Sequence, residues 1–223
     1  MALRAIFSFN IVDDVENTDR ASTSMKTLRI AALASNNGSS VRAIAEAIVA
    51  GKLDATISLL VSNRLSAPAL DYAADCGIPA LYIPTKGVES EADEKLHAAL
   101  VEAGVELVTL SGYLRRLGPK TLSAFEGRIL NVHPALLPRY GGVGMYGRKV
   151  HQAVLDAREP VTGATIHLVD AEYDHGRIIA ATEVRINPSD DVAAIECRVM
   201  QVECDLFVQT LQRIAAGELS LPL

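Results

Sequence analysis

Apolar residues in this chain come in short runs that alternate with stretches of helical spacing. Leu28–Ala34 is apolar except for Arg29, the pattern of a strand buried on both faces. A polar turn follows, Ser35-Asn-Asn-Gly-Ser-Ser40, and Val41, Ile44 and Ile48 then recur at helical spacing up to Gly51. The same alternation continues. Strands are predicted at Thr56–Val61, Ala80–Ile83 and Val105–Leu110, and helices at Ala67–Asp75 and Glu89–Glu102, closed by Gly77 and Gly104. A short helix over Pro119–Phe125 leads to another buried run, Ile129–Val132. Beyond a glycine-rich loop, a helix is predicted over Arg148–Ala157. Thr162–Val169 and Ile178–Ile186 read as a hairpin joined by the acidic loop 170–177. The last helix begins after Pro188, with Ser189 as candidate N-cap. Val192, Ile195, Val199, Val202, Leu206, Leu211 and Ile214 mark its apolar face, and Gly217 ends it. The alternation predicts an α/β fold: a doubly wound, mainly parallel, Rossmann-like sheet with a C-terminal antiparallel hairpin and a long last helix.

Composition narrows the function. The chain has 223 residues, enough for one well-buried domain. Residues 1–24 are predicted to be a flexible N-terminal extension without the pattern of a signal peptide, and 25–223 a single domain. A net charge of −6 argues against a nucleic-acid partner, which calls for a basic face. No run is long enough to span a bilayer, so no membrane is expected. The three cysteines, Cys76, Cys197 and Cys204, are scattered, which points to a reducing, cytoplasmic setting. Cys197 and Cys204 are two helical turns apart and are expected to share a helix face as small core residues.

The chemistry gathers at Arg128-Ile-Leu-Asn-Val-His-Pro-Ala-Leu-Leu-Pro138. Asn131 and His133 are two apart in a strand, so both point to one face. Pro134 and Pro138 stop the strand there. An amide and an imidazole are thus delivered at a strand's carboxyl end, where open α/β sheets place their ligands. An Asn–His pair suits oxyanion stabilisation and proton movement. The turn 35–40 between strand and helix can aim backbone N–H groups at a phosphate, although it lacks both the dinucleotide G-x-G-x-x-G and a Walker lysine. Four glycines within 139–147 predict a mobile loop, and the hairpin loop presents Asp174 and His175. His151 and His167 are read as structural, one on a helix and one in a strand.

Three segments carry a resemblance: Asn131-Val-His-Pro-Ala-Leu-Leu-Pro138, Tyr140-Gly-Gly-Val-Gly-Met-Tyr-Gly147 and Thr162-Gly-Ala-Thr-Ile-His-Leu-Val-Asp-Ala-Glu-Tyr-Asp-His-Gly176. Ser111-Gly-Tyr-Leu-Arg115 and Asn37-Gly-Ser39 add to it. The chain resembles the folate-dependent formyltransferases, and among them the phosphoribosylglycinamide formyltransferases, over about residues 27–218. The resemblance implies a co-substrate, 10-formyltetrahydrofolate, and an acceptor, glycinamide ribonucleotide. It implies no metal, and a monomer or homodimer. It implies that Asn131, His133 and Asp174 form a catalytic trio. Asn37, Gly38, Ser39 and Ser40 would hold the acceptor phosphate and Glu203 its glycinamide end. Leu114, Arg115, Leu117 and Asp170, with Asn131 and Asp174, would form the folate pocket.

The chain departs from the family pattern in places. Asn36 and Ser40 stand where the turn usually has Gly and Asn. An Arg that some members carry near residues 88–91 is missing, leaving Lys86 as the nearest basic residue. His175 stands where Gly is common, and Cys204 and Val208 where His and Pro are frequent. The alternatives are a formyltetrahydrofolate hydrolase (deformylase), which shares the trio, and a catalytically weak folate-binding relative. A methionyl-tRNA formyltransferase would require an RNA-binding domain for which this length leaves no room.

Overall fold

The computed structural model describes residues 27–223. The expected extension over 1–24 lies outside the described residues, as does the predicted domain start at 25. The elements run β1 (Leu28–Leu33), α1 (Ser39–Val49), β2 (Ala55–Ser62), α2 (Pro68–Asp75), β3 (Ala80–Tyr82), α3 (Glu89–Glu102), β4 (Leu107–Leu110), α4 (Pro119–Ala124), β5 (Ile129–His133), α5 (Arg148–Asp156), β6 (Val161–Leu168), β7 (Ile178–Arg185) and α6 (Val192–Ala215). They build one seven-stranded sheet in the order β3-β2-β1-β4-β5-β6-β7. Pairings from β3 to β5 are parallel, and β5–β6 and β6–β7 are antiparallel. Winding reverses between β1 and β4. A doubly wound sheet opens its ligand crevice at such a point, beyond the strand carboxyl ends.

The two faces explain why β1 reads as a continuous apolar run. Ile30 and Ala32 pack with Val41 and Ile44 of α1 and Phe207 and Leu211 of α6. Ala31 and Leu33 point the other way, into a cluster with Leu96 and Leu100 of α3 and Phe125. Each strand residue therefore finds a hydrophobic partner whichever way it points. Phe207, with no exposed surface, anchors α6 in the first cluster. Burying such a side chain contributes about 2–3 kcal/mol.

Three local expectations change. Ser189 is not the cap of α6. The cap is Asp191, whose carboxylate accepts the Ala194 N–H at 2.8 Å. The reason is a tight turn after Pro188: Asp190 accepts the Asn187 N–H at 2.6 Å, and its own N–H donates to the Asn187 carbonyl at 3.0 Å. That turn uses two more residues before the helix begins. The strand β3 is shorter than expected and exposed along its length, as suits a sheet edge. Cys197 and Cys204 do not share an environment. Cys204 is buried where the start of α1 covers α6, and Cys197 is exposed.

Candidate active site

A cavity of about 550 Å³ opens at the carboxyl ends of β1, β4 and β5. Its walls come from far apart in the chain: the turn after β1, the loop after β4, the end of β5, the loops 142–147 and 169–174, and one face of α6. Asn131, His133, Asp174, Asn37, Gly38, Ser39, Glu203, Leu114, Arg115, Leu117 and Asp170 all line it. Ser40 does not. It is turned inward, 1% exposed, beside the Cys204 thiol. Lys86 is not among the lining residues either.

The strand end places the central groups. In β5, Asn131 lies opposite His167 of the antiparallel neighbour β6. The Asn131 Nδ2 donates to His167 Nε2 at 3.0 Å. His167 Nδ1 donates to the Leu168 carbonyl at 2.8 Å, which fixes the tautomer that leaves Nε2 as acceptor. An amide nitrogen carries two hydrogens, so the second remains for the cavity. His133 is 3% exposed. Its Nε2 donates to the Tyr140 carbonyl at 2.7 Å, and its Nδ1 lies 3.4 Å from Asp174 Oδ2. Both ring nitrogens thus face oxygen acceptors, an arrangement that a doubly protonated ring satisfies.

Asp174 ties the loops together. The Gly142 N–H donates to its Oδ2 at 2.9 Å, and its Oδ1 lies 3.5 Å from His167 Nε2. Burial pushes its carboxyl up, but the bond to His133, the His133 charge and the Gly142 N–H outweigh burial. The net effect holds it well below the usual carboxylate range. The backbone of Asp174 is left-handed, with φ 55°, a conformation that persists in a non-glycine residue only where surrounding contacts hold it. On the other side of this loop the Arg116 guanidinium donates to the Ala171 carbonyl and sits 5.3 Å over the Tyr173 ring. Arg116 so joins the loop after β4 to the loop that carries Asp174.

Another part of the cavity wall has a different character. Gly38 adopts φ 63° and ψ 47° as the residue before α1. A Cβ there would come within 3.1 Å of the Ala69 methyl. No side chain caps the first N–H groups of α1, which suits them as donors to an anion. Arg42 donates to the Asn37 carbonyl at 3.3 Å, and Arg64 to Asn36 Oδ1 at 2.7 Å, so two guanidinium groups flank this turn. Glu203 faces the cavity from α6. Burial pushes its carboxyl up to about 8.

Two histidines that looked structural in the sequence turn out to line the cavity. His167 holds Asn131 and approaches Asp174. His151 of α5 is 3% exposed, and burial lowers its pKa. The strand register that pairs Asn131 with His167 would have revealed the first. Periodicity within one segment carries no such register.

The formyl transferase family model matches residues 28–211, which include every group described above. The chain belongs to the formyl transferase family. It is therefore a group transferase, and the family implies a folate-type formyl donor. It is 37% identical over 218 residues to the chloroplastic phosphoribosylglycinamide formyltransferase of Arabidopsis thaliana, covering 94% of this chain and 74% of that one. It is 32% identical over 195 residues to the Haemophilus influenzae phosphoribosylglycinamide formyltransferase, covering 86% and 90%. The crystal structure of glycinamide ribonucleotide transformylase 1 from Symbiobacterium toebii superimposes with a TM-score of 0.81 at 30% identity, over 87% of this chain and 91% of that one. A formyltetrahydrofolate deformylase from Pseudomonas syringae shares the fold, with a TM-score of 0.80 at 20% identity, over 88% of this chain and 64% of that one. Among the described residues no helix is long and apolar enough to cross a membrane.

Proposed function

We propose that this formyl transferase moves the formyl group of 10-formyltetrahydrofolate onto the amine of glycinamide ribonucleotide, a step of purine biosynthesis. The observation that carries the reading is one cavity with two unlike parts. The turn Asn37–Ser39 and Glu203 line one part of it, and Leu114, Arg115, Leu117 and Asp170 line another that would wall a flat ring system. Asn131, His133 and Asp174 line the same cavity, His133 and Asp174 3.4 Å apart. The acceptor phosphate would sit on the Gly38 and Ser39 N–H groups, and Glu203 would take the glycinamide end. The names of the relatives support this pair of substrates.

The chemistry follows from the residues. The acceptor nitrogen attacks the formyl carbon, and the carbonyl electrons move onto oxygen. Asn131 donates its free amide hydrogen to that oxyanion. His133 adds a second donor once a ring nitrogen turns from its present partner to the cavity. Removing one such donor costs about 2.7–4 kcal/mol of barrier. Asp174 balances the His133 charge and orients the water through which the proton lost by the attacking nitrogen passes to N10. The C–N10 bond then breaks and N10 gains a proton, giving the formamide and tetrahydrofolate.

The test is formyl transfer by purified protein with the folate donor and glycinamide ribonucleotide. Stoichiometric formamide product is expected. Formate release at the same rate without acceptor would make the protein a hydrolase and sink the proposal.

A further inference from the structure

These two parts of the cavity wall are joined behind it by one buried hydroxyl. Ser35 follows β1 where the winding of the sheet reverses. It has no exposed surface and does not line the cavity. Its Oγ accepts the Leu114 N–H at 2.9 Å and donates to Asn63 Oδ1 at 2.5 Å. Its own N–H donates to the Gly112 carbonyl at 3.3 Å. Asn63 leads directly to Arg64, which donates to Asn36 Oδ1 at 2.7 Å, and Asn36 is bonded in sequence to Ser35. Ser35, Asn63, Arg64 and Asn36 thus close a ring through two covalent links and two hydrogen bonds. The turn Asn37–Ser39 continues from one side of the ring, and Leu114 hangs from its hydroxyl. The Asn36 carbonyl also accepts the Ala69 N–H at 3.2 Å, which fixes the ring to the start of α2.

We propose that Ser35 is a positioning residue through which the two substrates strengthen each other's binding. The proposal rests on the reading of Asn37–Ser39 as the seat of the acceptor phosphate. A phosphate there needs the turn held in its left-handed geometry at Gly38. Holding the turn holds the ring, and the ring sets Leu114 and with it the donor wall. The effect is reciprocal, as any linkage between two bound ligands must be. Without the Ser35 hydroxyl the Leu114 N–H loses its acceptor, and the loop after β4 has to rearrange to find another.

The experiment is calorimetric titration of a non-reacting folate analogue, with and without saturating glycinamide ribonucleotide. In wild type the acceptor is expected to lower the analogue's Kd about fivefold. In Ser35→Ala the acceptor-free Kd should rise about fivefold and the ratio should fall to one. Ser35→Thr keeps a hydroxyl and should keep a ratio above one. Asn63→Ala removes the acceptor of that hydroxyl from a loop position outside the sheet. It should lower the ratio too, so the proposal remains open to refutation if Ser35→Ala does not fold. A folded Ser35→Ala protein with the wild-type ratio overturns the proposal, and so does a wild-type ratio of one with both ligands bound. Absence of acceptor binding to wild type overturns the reading of the turn, and the proposal with it.

Discussion

Asn131 and His167 stand opposite each other across β5 and β6, and the amide of one donates to the ring of the other at 3.0 Å. The imidazole is held in turn by the Leu168 carbonyl at 2.8 Å. The pair fixes the plane of the Asn131 amide before any ligand arrives, so the remaining N–H needs no reorganisation to meet a developing oxyanion.

His167→Ala is therefore expected to lower turnover about tenfold to a hundredfold, the scale of a misplaced donor, with little change in the KM of either substrate. Asn131→Ala, which removes the donor itself, should lose about a hundredfold or more. Steady-state kinetics on folded variants decides both. A His167→Ala enzyme with normal turnover would make the contact incidental.

Asp174→Asn should reduce turnover about a hundredfold or more. The same variant tests the linkage. The native carboxyl is held below its ordinary value, so its stabilising effect is fully present above about pH 4 and fades as pH falls through the depressed value. The stability gap between wild type and Asp174→Asn, from denaturant melts, should shrink as pH falls below about 4. A gap that widens on acidification would contradict the ion-pair geometry.

Glu203 behaves in the opposite sense. Its carboxyl is raised to about 8 in the folded protein, against about 4.3 when unfolded. Between those values the folded state holds the extra proton, so stability falls as pH rises. Glu203→Gln should match wild type near pH 4 and be the more stable protein near pH 8. If the glycinamide end sits on this carboxylate, acceptor binding at pH 7 should release a proton, visible as a dependence of binding enthalpy on buffer ionisation enthalpy. Glu203→Gln should abolish that dependence; if it persists unchanged, the proton comes from elsewhere.

Gly38→Val and Ser40→Ala separate backbone from side chain at the turn proposed to seat the acceptor phosphate. The first forces a β-branched residue into φ 63° and against Ala69. It should raise the acceptor KM about tenfold or more, with less effect on the donor. The second removes a hydroxyl that is turned away from the cavity and should change the acceptor KM less than about twofold. A large effect of Ser40→Ala would place that hydroxyl in the site.

The sequence by itself determined the order and kind of the elements, because each strand or helix writes its own periodicity. The run Leu28–Ala34 demanded two covered faces, and the sheet supplies them. It also determined Asn131 and His133, since a two-residue spacing in a strand is a geometric statement. The Asp174 loop was legible through the resemblance of three motifs.

Only the tertiary structure decided what those groups touch. His167 looked like one more strand residue because its role depends on antiparallel register with β5, a relation between segments thirty-six positions apart. His151 reaches the cavity because α5 docks beside the strand end, and helical spacing alone says nothing about docking. Ser40 belonged to the anion turn by position, yet one residue further along a helix rotates a side chain by about 100° and turned it inward. Ser189 lost the cap to Asp191 because a side-chain turn competed for the same residues. Spacing fixes direction within an element. Register and packing between elements fix partners, and catalysis depends on partners.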